Sequence, residues 1–435
     1  MQAPIADRRT TPVELFWDLV FVFAVTRVTT LLSHHLSWAG LGRAMLVLAL
    51  VWWAWSAFVW ATNAQDPDAP VFRATLLTAT VLIFVVGLAL PGAFAADGTT
   101  FAVAYAGVRL LHLALYVDAS RRGNASLSAI AGFAMTVMAG MALLVAGSFA
   151  EGGLRVALWV AAAAIDYAGP AWLTRERLRG LQQVAVAHFA ERYSLFIIIC
   201  LGESIVAIGV GGTGPSLDAE LIGAAVLALL TTIGLWWTYF DRFADTAEER
   251  LAAHDDPVLA AADGYSYLHL VLVAGIIVFA VGAKGTVAHA GDPLSDAQRL
   301  ALCGGVALYL AGHAAFGLRI TGTLSRAKLA AAAACLVVFA LGLPAWATAA
   351  LLTAVLAVLV AAETVAPRMP PPALGVALAV AKTPVRPPWS AAILCPSPGR
   401  MTTRGHADVA QLVEHITRND GVRGSSPRVG SGHSR

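Results

Sequence analysis

The feature that most constrains this chain is a succession of apolar runs, each about 16 to 23 residues long, filling its first 366 residues. A bilayer core about 30 Å thick is crossed by roughly 20 helical residues at 1.5 Å rise each. Runs of that length, separated by short polar breaks, predict an all-α polytopic transmembrane helix bundle. The predicted spans are 13–32, 40–62, 71–90, 100–117, 127–149 and 154–173, then 189–210, 221–239, 265–287, 300–318, 328–343 and 345–365. Only Pro344 divides the last two, so eleven spans with a proline kink is the alternative to twelve.

Composition agrees with that reading. Apolar residues make up 58% of the chain and charged residues 13%, against about a quarter charged in soluble domains, which excludes an ordinary cytosolic enzyme. The formal net charge of +2 hides two unlike parts: residues 1–366 hold 20 basic and 24 acidic side chains, whereas 367–435 hold 9 basic and 3 acidic. The basic balance therefore belongs to the tail.

Short loops carry the orientation signal, because Lys and Arg are retained on the cytoplasmic side. With the N-terminus inside, cytoplasmic segments collect 13 Lys/Arg and outer loops collect 4. A multi-pass protein of the bacterial inner membrane with a cytoplasmic N-terminus is expected. Glu14 and Asp18 interrupt the first run and no small-residue cleavage site follows, so no cleaved signal peptide is expected. Cys200, Cys303, Cys335 and Cys395 are too widely spaced to suggest a disulfide framework or a metal-ligand pair.

The two halves repeat weakly but in order. Glu14 answers Glu191, Trp52-Trp53 answer Trp236-Trp237, Phe84 to Gly87 answer Phe279 to Gly282, and His112 answers His313. The offset grows from 177 to 201, as loop insertions would make it. The expected organisation is a cytoplasmic N-terminus (1–12), two six-helix repeats (13–187 and 188–366) of the same orientation, and a disordered tail (367–435). Within that tail Val409 to His415, continuing to Pro427, resembles the peptide obtained when a reading frame runs through a transfer-RNA gene. The tail is accordingly read in part as a read-through product, and its arginines, without interleaved aromatics, point to no nucleic-acid partner.

Ionisable groups within spans are costly, roughly 2.5 to 3.5 kcal/mol each on insertion scales, and so mark candidate sites. Glu14 and Asp18 lie four residues apart on one face of the first helix, suited to binding a cation or accepting a proton, or else to helix capping and a structural bond. Arg27 stands roughly 20 Å further along at 1.5 Å per residue. The seventh span opens with Glu191-Arg192 and carries Glu203-Ser204 at nearly the depth of Arg27. Glu14, Asp18, Arg27, Glu191, Arg192, Glu203 and Ser204 form the candidate ion or solute site, with Arg27 and Glu203 expected as a buried pair. Arg109, His112 and His313 are a candidate proton relay, weighed against simple packing. The tryptophans of the second and eighth spans read as an interfacial belt, and 241–263 as a solvated acidic loop. No cofactor and no metal motif is indicated.

Thr11 to Ala24 followed by Thr26-Arg27-Val28, with His188 to Phe196 and Leu201 to Ile205, resembles the bacterial low-temperature-requirement A (LtrA) family over roughly 9–365. That family commonly has Gln where Arg27 stands, which makes an Arg27–Glu203 pair a local variation. The resemblance implies a multi-pass inner-membrane protein linked by name to growth in the cold. Transport or conduction of a small solute or ion is the expected function, with the lipid bilayer and that solute as partners. The alternative is a non-transporting membrane sensor or scaffold in cold or envelope adaptation, and an intramembrane enzyme is disfavoured because no nucleophile with a base stands at recognisable spacing.

Overall fold

The computed structural model describes residues 10–63, 68–122, 127–170, 184–212 and 217–365. The tail and the arginines at 175, 177 and 179 lie outside the described residues. Where the chain is described it is helical: α1 (Pro12–His34), α2 (Trp38–Asn63), α3 (Pro70–Ala89), α4 (Gly98–Arg121), α5 (Leu127–Ser148) and α6 (Gly152–Ala168) come first. Then follow α7 (Val186–Gly211), α8 (Ala219–Phe240), α9 (Phe243–Ala252), α10 (Pro257–Ala261), a π-helical segment (Ala262–Leu268), α11 (His269–Ala288), α12 (Asp296–Thr321), α13 (Arg326–Ala340) and α14 (Ala345–Val365).

Among the described residues ten helices are long and apolar enough to cross a membrane; α6, with 17 residues, and α13, with 15, are shorter. The chain turns between α13 and α14 at Gly342, whose φ of 62° is in the left-handed region, so Pro344 follows a helix end and does not kink one long helix.

Local chemistry sets the helix ends. Pro12 opens α1, and the Thr11 N–H and hydroxyl both donate to Glu14 Oε2, at 2.9 and 2.8 Å. In α12 Ser295 and Gln298 form the same reciprocal cap, and Gly322 ends the helix with φ 72°. At the end of the bundle where α3 meets α4 and α5 meets α6, the buried Arg155 donates to the carbonyls of Ala93, Ala95, Ala150 and Ser148. Arg155, near the start of α6, is therefore a buried clamp.

In both halves the first helix packs on the third, the third on the fourth and the fifth on the sixth. The α11–α12 contact is the most intimate. A Cβ on Gly282 would fall 2.2 Å from Leu302 N, and one on Gly305 would fall 2.3 Å from Phe279 N. Two backbones approach this closely only where side chains are absent, which is how small residues replace the missing hydrophobic drive between helices in lipid.

Two expectations fail here. The stretch 241–263 is not a loop: α9 forms there because Ala247 and Leu251, four residues apart, bury one face against the bundle, and α10 buries Val258, Leu259, Ala260 and Ala261. Nor are the α2 tryptophans a belt, since Trp52, Trp53 and Trp55 are buried in the interior; Trp236 and Trp237 do face outward.

Candidate functional site

Helices α1 and α7 meet along a seam whose contacts ascend together, from Glu14–His188 through Asp18–Arg192 to Thr26–Glu203. The two helices therefore run parallel. On α1 the carboxylates are four residues apart, and on α7 the facing side chains His188 and Arg192 are also four apart, so one helical turn brings both pairs into register.

The core of the seam is the Asp18–Arg192 pair. Arg192 Nε donates to Asp18 Oδ2 at 2.9 Å and Nη2 to Oδ1 at 2.6 Å, while Trp55 Nε1 from α2 donates to Oδ1 at 2.7 Å. This is a bidentate fork with a third donor, the geometry that compensates best for removing both charges from water. Glu14 is held differently: Arg192 Nη1 stands 3.2 Å from its Oε1, an ion contact without an aligned hydrogen bond, and His188 Nε2 stands 3.3 Å from the carboxylate. Glu14, Asp18 and Arg192 expose 1% or less of their surface.

Beyond this level the seam is apolar, with Phe21, Ile197 and Cys200 fully buried. A second polar level follows, where the Thr26 hydroxyl bonds to Glu203 Oε2 and the buried Ser204 Oγ has no hydrogen-bond partner.

Next to Arg192, the Tyr193 hydroxyl contacts Ser56 Oγ at 2.6 Å and Ser266 Oγ at 3.0 Å. Trp60 Nε1 donates to Ser266 Oγ and Trp52 Nε1 to the Ser266 carbonyl, each at 2.7 Å. Ser266 belongs to the π-helical segment, whose altered bonding frees a carbonyl for a side-chain donor; such segments recur at functional sites. Ser56 and Ser266 also line a cavity of about 70 Å³ reached by Arg109, His112 and Asp166. No group of three or more His, Cys, Asp or Glu placed to hold a metal occurs among the described residues.

Residues 9–362, which include this seam and both sets of helices, match the family described as bacterial low temperature requirement A protein (LtrA). The chain belongs to the LtrA family. It is also 33% identical over 306 residues, 69% of its own length and 75% of the other's, to an uncharacterized protein of Rhizobium meliloti (strain 1021), RA0937.

In this LtrA chain the expected candidates separate into groups. Glu14, Asp18 and Arg192 come together at the first level, and Glu203 and Ser204 sit at the second. Glu191 faces outward and takes the Thr10 hydroxyl at 2.8 Å, apart from the buried cluster. The expected Arg27–Glu203 pair does not form. Glu203 faces Thr26, and one residue along a helix turns the side chain by about 100°, so the Arg27 guanidinium lies instead 6.0 Å from the Phe23 ring centroid. The relay is not continuous either: Arg109 donates to Asp166 at 2.8 Å, His112 packs among Phe58, Tyr116 and Phe133, and His313 bonds to nothing through either ring nitrogen. His188, Tyr193, Trp55 and Ser266 escaped selection. For His188 a signal existed, because its four-residue spacing to Arg192 mirrors that of Glu14 and Asp18.

Proposed function

We propose that this membrane protein transports or conducts a small solute or ion along the α1–α7 seam, in a bacterial inner membrane with the N-terminus in the cytoplasm. The observation that carries the reading is the order of levels along the two helices: a polar level, a level where Phe21, Ile197 and Cys200 are fully buried, and a second polar level at Thr26 and Glu203. Asp18 and Thr26 are eight residues apart, about 12 Å at 1.5 Å per residue. Binding groups on either side of a buried apolar level suit a gated, occluded path better than an open pore. Within the first level Asp18, gripped by three donors, serves as the anchor, and the looser Glu14–His188 contact is where a proton can be exchanged.

Duplication of a six-helix unit belongs to the same reading. Parallel α1 and α7, the like packing order in each half, and contact between Thr26 and Glu203, which stand at the repeat offset of 177, all support it. Residues equivalent by a two-fold axis meet where that axis passes, and parallel repeats place such an axis along the membrane normal.

The test is flux in proteoliposomes, with protons read by a trapped pH-sensitive dye and sodium and potassium as added ions. Protein-dependent flux lost in both Asp18→Asn and Glu203→Gln supports the seam as the path, whereas undiminished flux in both variants removes the carboxylates from it. The second reading, a sensor or scaffold that moves nothing, draws support from the three-donor grip on Asp18, and folded vesicle-inserted protein without flux would favour it.

A further inference from the structure

A cavity of about 580 Å³ opens at the end of the bundle where α8 and α12 finish and α13 begins, away from the α1–α7 seam. Its size falls within the range of small-molecule sites, roughly 300 to 1,000 Å³. His313 of α12 lines it, is fully buried, and has no hydrogen-bond partner on Nδ1 or Nε2. A neutral imidazole always presents one donor and one acceptor, and leaving such groups unpaired in a protein interior is unfavourable. The ring is held by Phe243 at 4.3 Å and Tyr239 at 5.8 Å between centroids, so it is fixed beside the cavity with its polar capacity unused.

The rest of the wall has two chemical characters. Asp245 and Glu249, four residues apart, present two carboxylates on one face of α9, and Asp241 lies in the turn just before that helix. Ser325 caps α13, its Oγ accepting from the Lys328 N–H at 3.3 Å, and Arg326 and Ala327 open this 15-residue helix, whose first N–H groups and positive dipole end favour a carboxylate. Arg326 adds an exposed guanidinium there. Lys328, by contrast, is already committed to Glu363 at 2.6 Å, and Arg242 to the carbonyls of Glu363 and Thr364 at 3.1 and 2.8 Å. These bonds tie the end of α14 to the cavity and, among the described residues that line it, leave Arg326 as the cation open to a ligand.

We propose that this cavity binds a small zwitterion of the amino-acid class. The ligand's carboxylate lies at the start of α13 with Arg326, its ammonium on the α9 carboxylates, and a polar side-chain atom meets His313. The site is independent of the transport reading, since binding here neither requires nor predicts flux through the seam.

The test is equilibrium binding of the twenty common L-amino acids, each alone, to the detergent-solubilised full chain, by calorimetry and by shift of the unfolding temperature. At least one binds saturably below 10 mM, and its N-acetyl and carboxamide forms, lacking the ammonium or the carboxylate, bind at least tenfold more weakly. Arg326→Gln and Asp245→Asn/Glu249→Gln, all exposed positions that leave the fold intact, each weaken binding tenfold or more, and His313→Phe removes it. Absence of binding by every amino acid overturns the proposal, as does binding that survives Arg326→Gln and the α9 double variant unchanged.

Discussion

Asp18 and Arg192 form a bidentate ion pair between parallel helices, with Nε–Oδ2 and Nη2–Oδ1 distances of 2.9 and 2.6 Å, and neither side chain touches solvent. An enclosed pair of this kind contributes little net stability, yet removing one partner strands the other charge without water. Arg192→Met and Asp18→Leu are each expected to lower stability by about 3 to 5 kcal/mol. The double variant should recover part of the loss, because the two charges of the bidentate pair are then gone together, while Glu14 still loses its Arg192 contact. Thermal unfolding of the four proteins in detergent measures the cycle, and a double variant as unstable as the sum of the singles would show that the pair is not coupled.

The second polar level behaves differently. Gln at position 203 keeps an acceptor for the Thr26 hydroxyl, so Glu203→Gln should cost less than about 1 kcal/mol, within the range of one neutral hydrogen bond. Arg27→Gln should be similarly mild, since its guanidinium rests near Phe23 and not on Glu203. Reversing both charges, Arg27→Glu with Glu203→Arg, should therefore fail to restore expression lost in either single variant. Rescue by the double reversal would contradict the observed geometry.

These two levels show what the sequence revealed and where it stopped. Apolar length is read directly, so α1, expected over 13–32, is found at Pro12–His34. Facing direction is not, because a helix turns about 100° per residue: Thr26, not Arg27, meets Glu203, and Trp52 to Trp55 point inward where composition suggested an interfacial belt. The acidic stretch 241–263 looked like a loop because the charged residues around Ala247 and Leu251 hold mean hydropathy down, so the buried face of α9 does not read as an apolar run. Asp166 and Arg109, 57 residues apart in sequence, are paired only by the packing of α4 against its neighbours.

Arg155 supplies a third measurement. Its guanidinium serves four carbonyls from two connections, three of the bonds lying between 2.7 and 3.1 Å and the fourth at 3.2 Å. Lysine has the charge but not the fork. Arg155→Lys should lose about 2 kcal/mol, by analogy with charged hydrogen bonds worth roughly 1.5 to 3 kcal/mol each, and Arg155→Gln should lose more. Equal unfolding temperatures for Arg155→Lys and the parent would show that the clamp adds nothing beyond charge.

The close contact of α11 with α12 can be probed through one atom. Gly282→Ala places a Cβ 2.2 Å from the Leu302 backbone nitrogen, and backbone cannot swing aside as a side-chain tip does. Overpacking of this kind costs typically about 1 to 3 kcal/mol, so the unfolding temperature should fall. Gly223→Ala is the control, because a Cβ there meets nothing within 4 Å. A change at 282 no larger than at 223 would mean that the two helices separate at little cost.

Topology gives the last prediction. The Arg155 clamp joins the α3–α4 and α5–α6 turns, and the Ala345 N–H donates to the Asp292 carbonyl at 3.0 Å, joining the turns before α12 and α14. Each set lies at one end of its half, and parallel α1 and α7 put both sets on the same side of the membrane. With the N-terminus inside, that side is the outer one. In a background with Cys395 replaced by serine, single cysteines at the exposed positions Ser37 and Glu151 should react with a membrane-impermeant maleimide in intact cells. Cysteines at the exposed Arg122 and Leu324 should react only after permeabilisation. The reverse pattern would invert the protein in the membrane while leaving its internal geometry untouched. Labelling of Ser37 and Leu324 variants from the same side would break the alternation itself, since an odd number of crossings separates them.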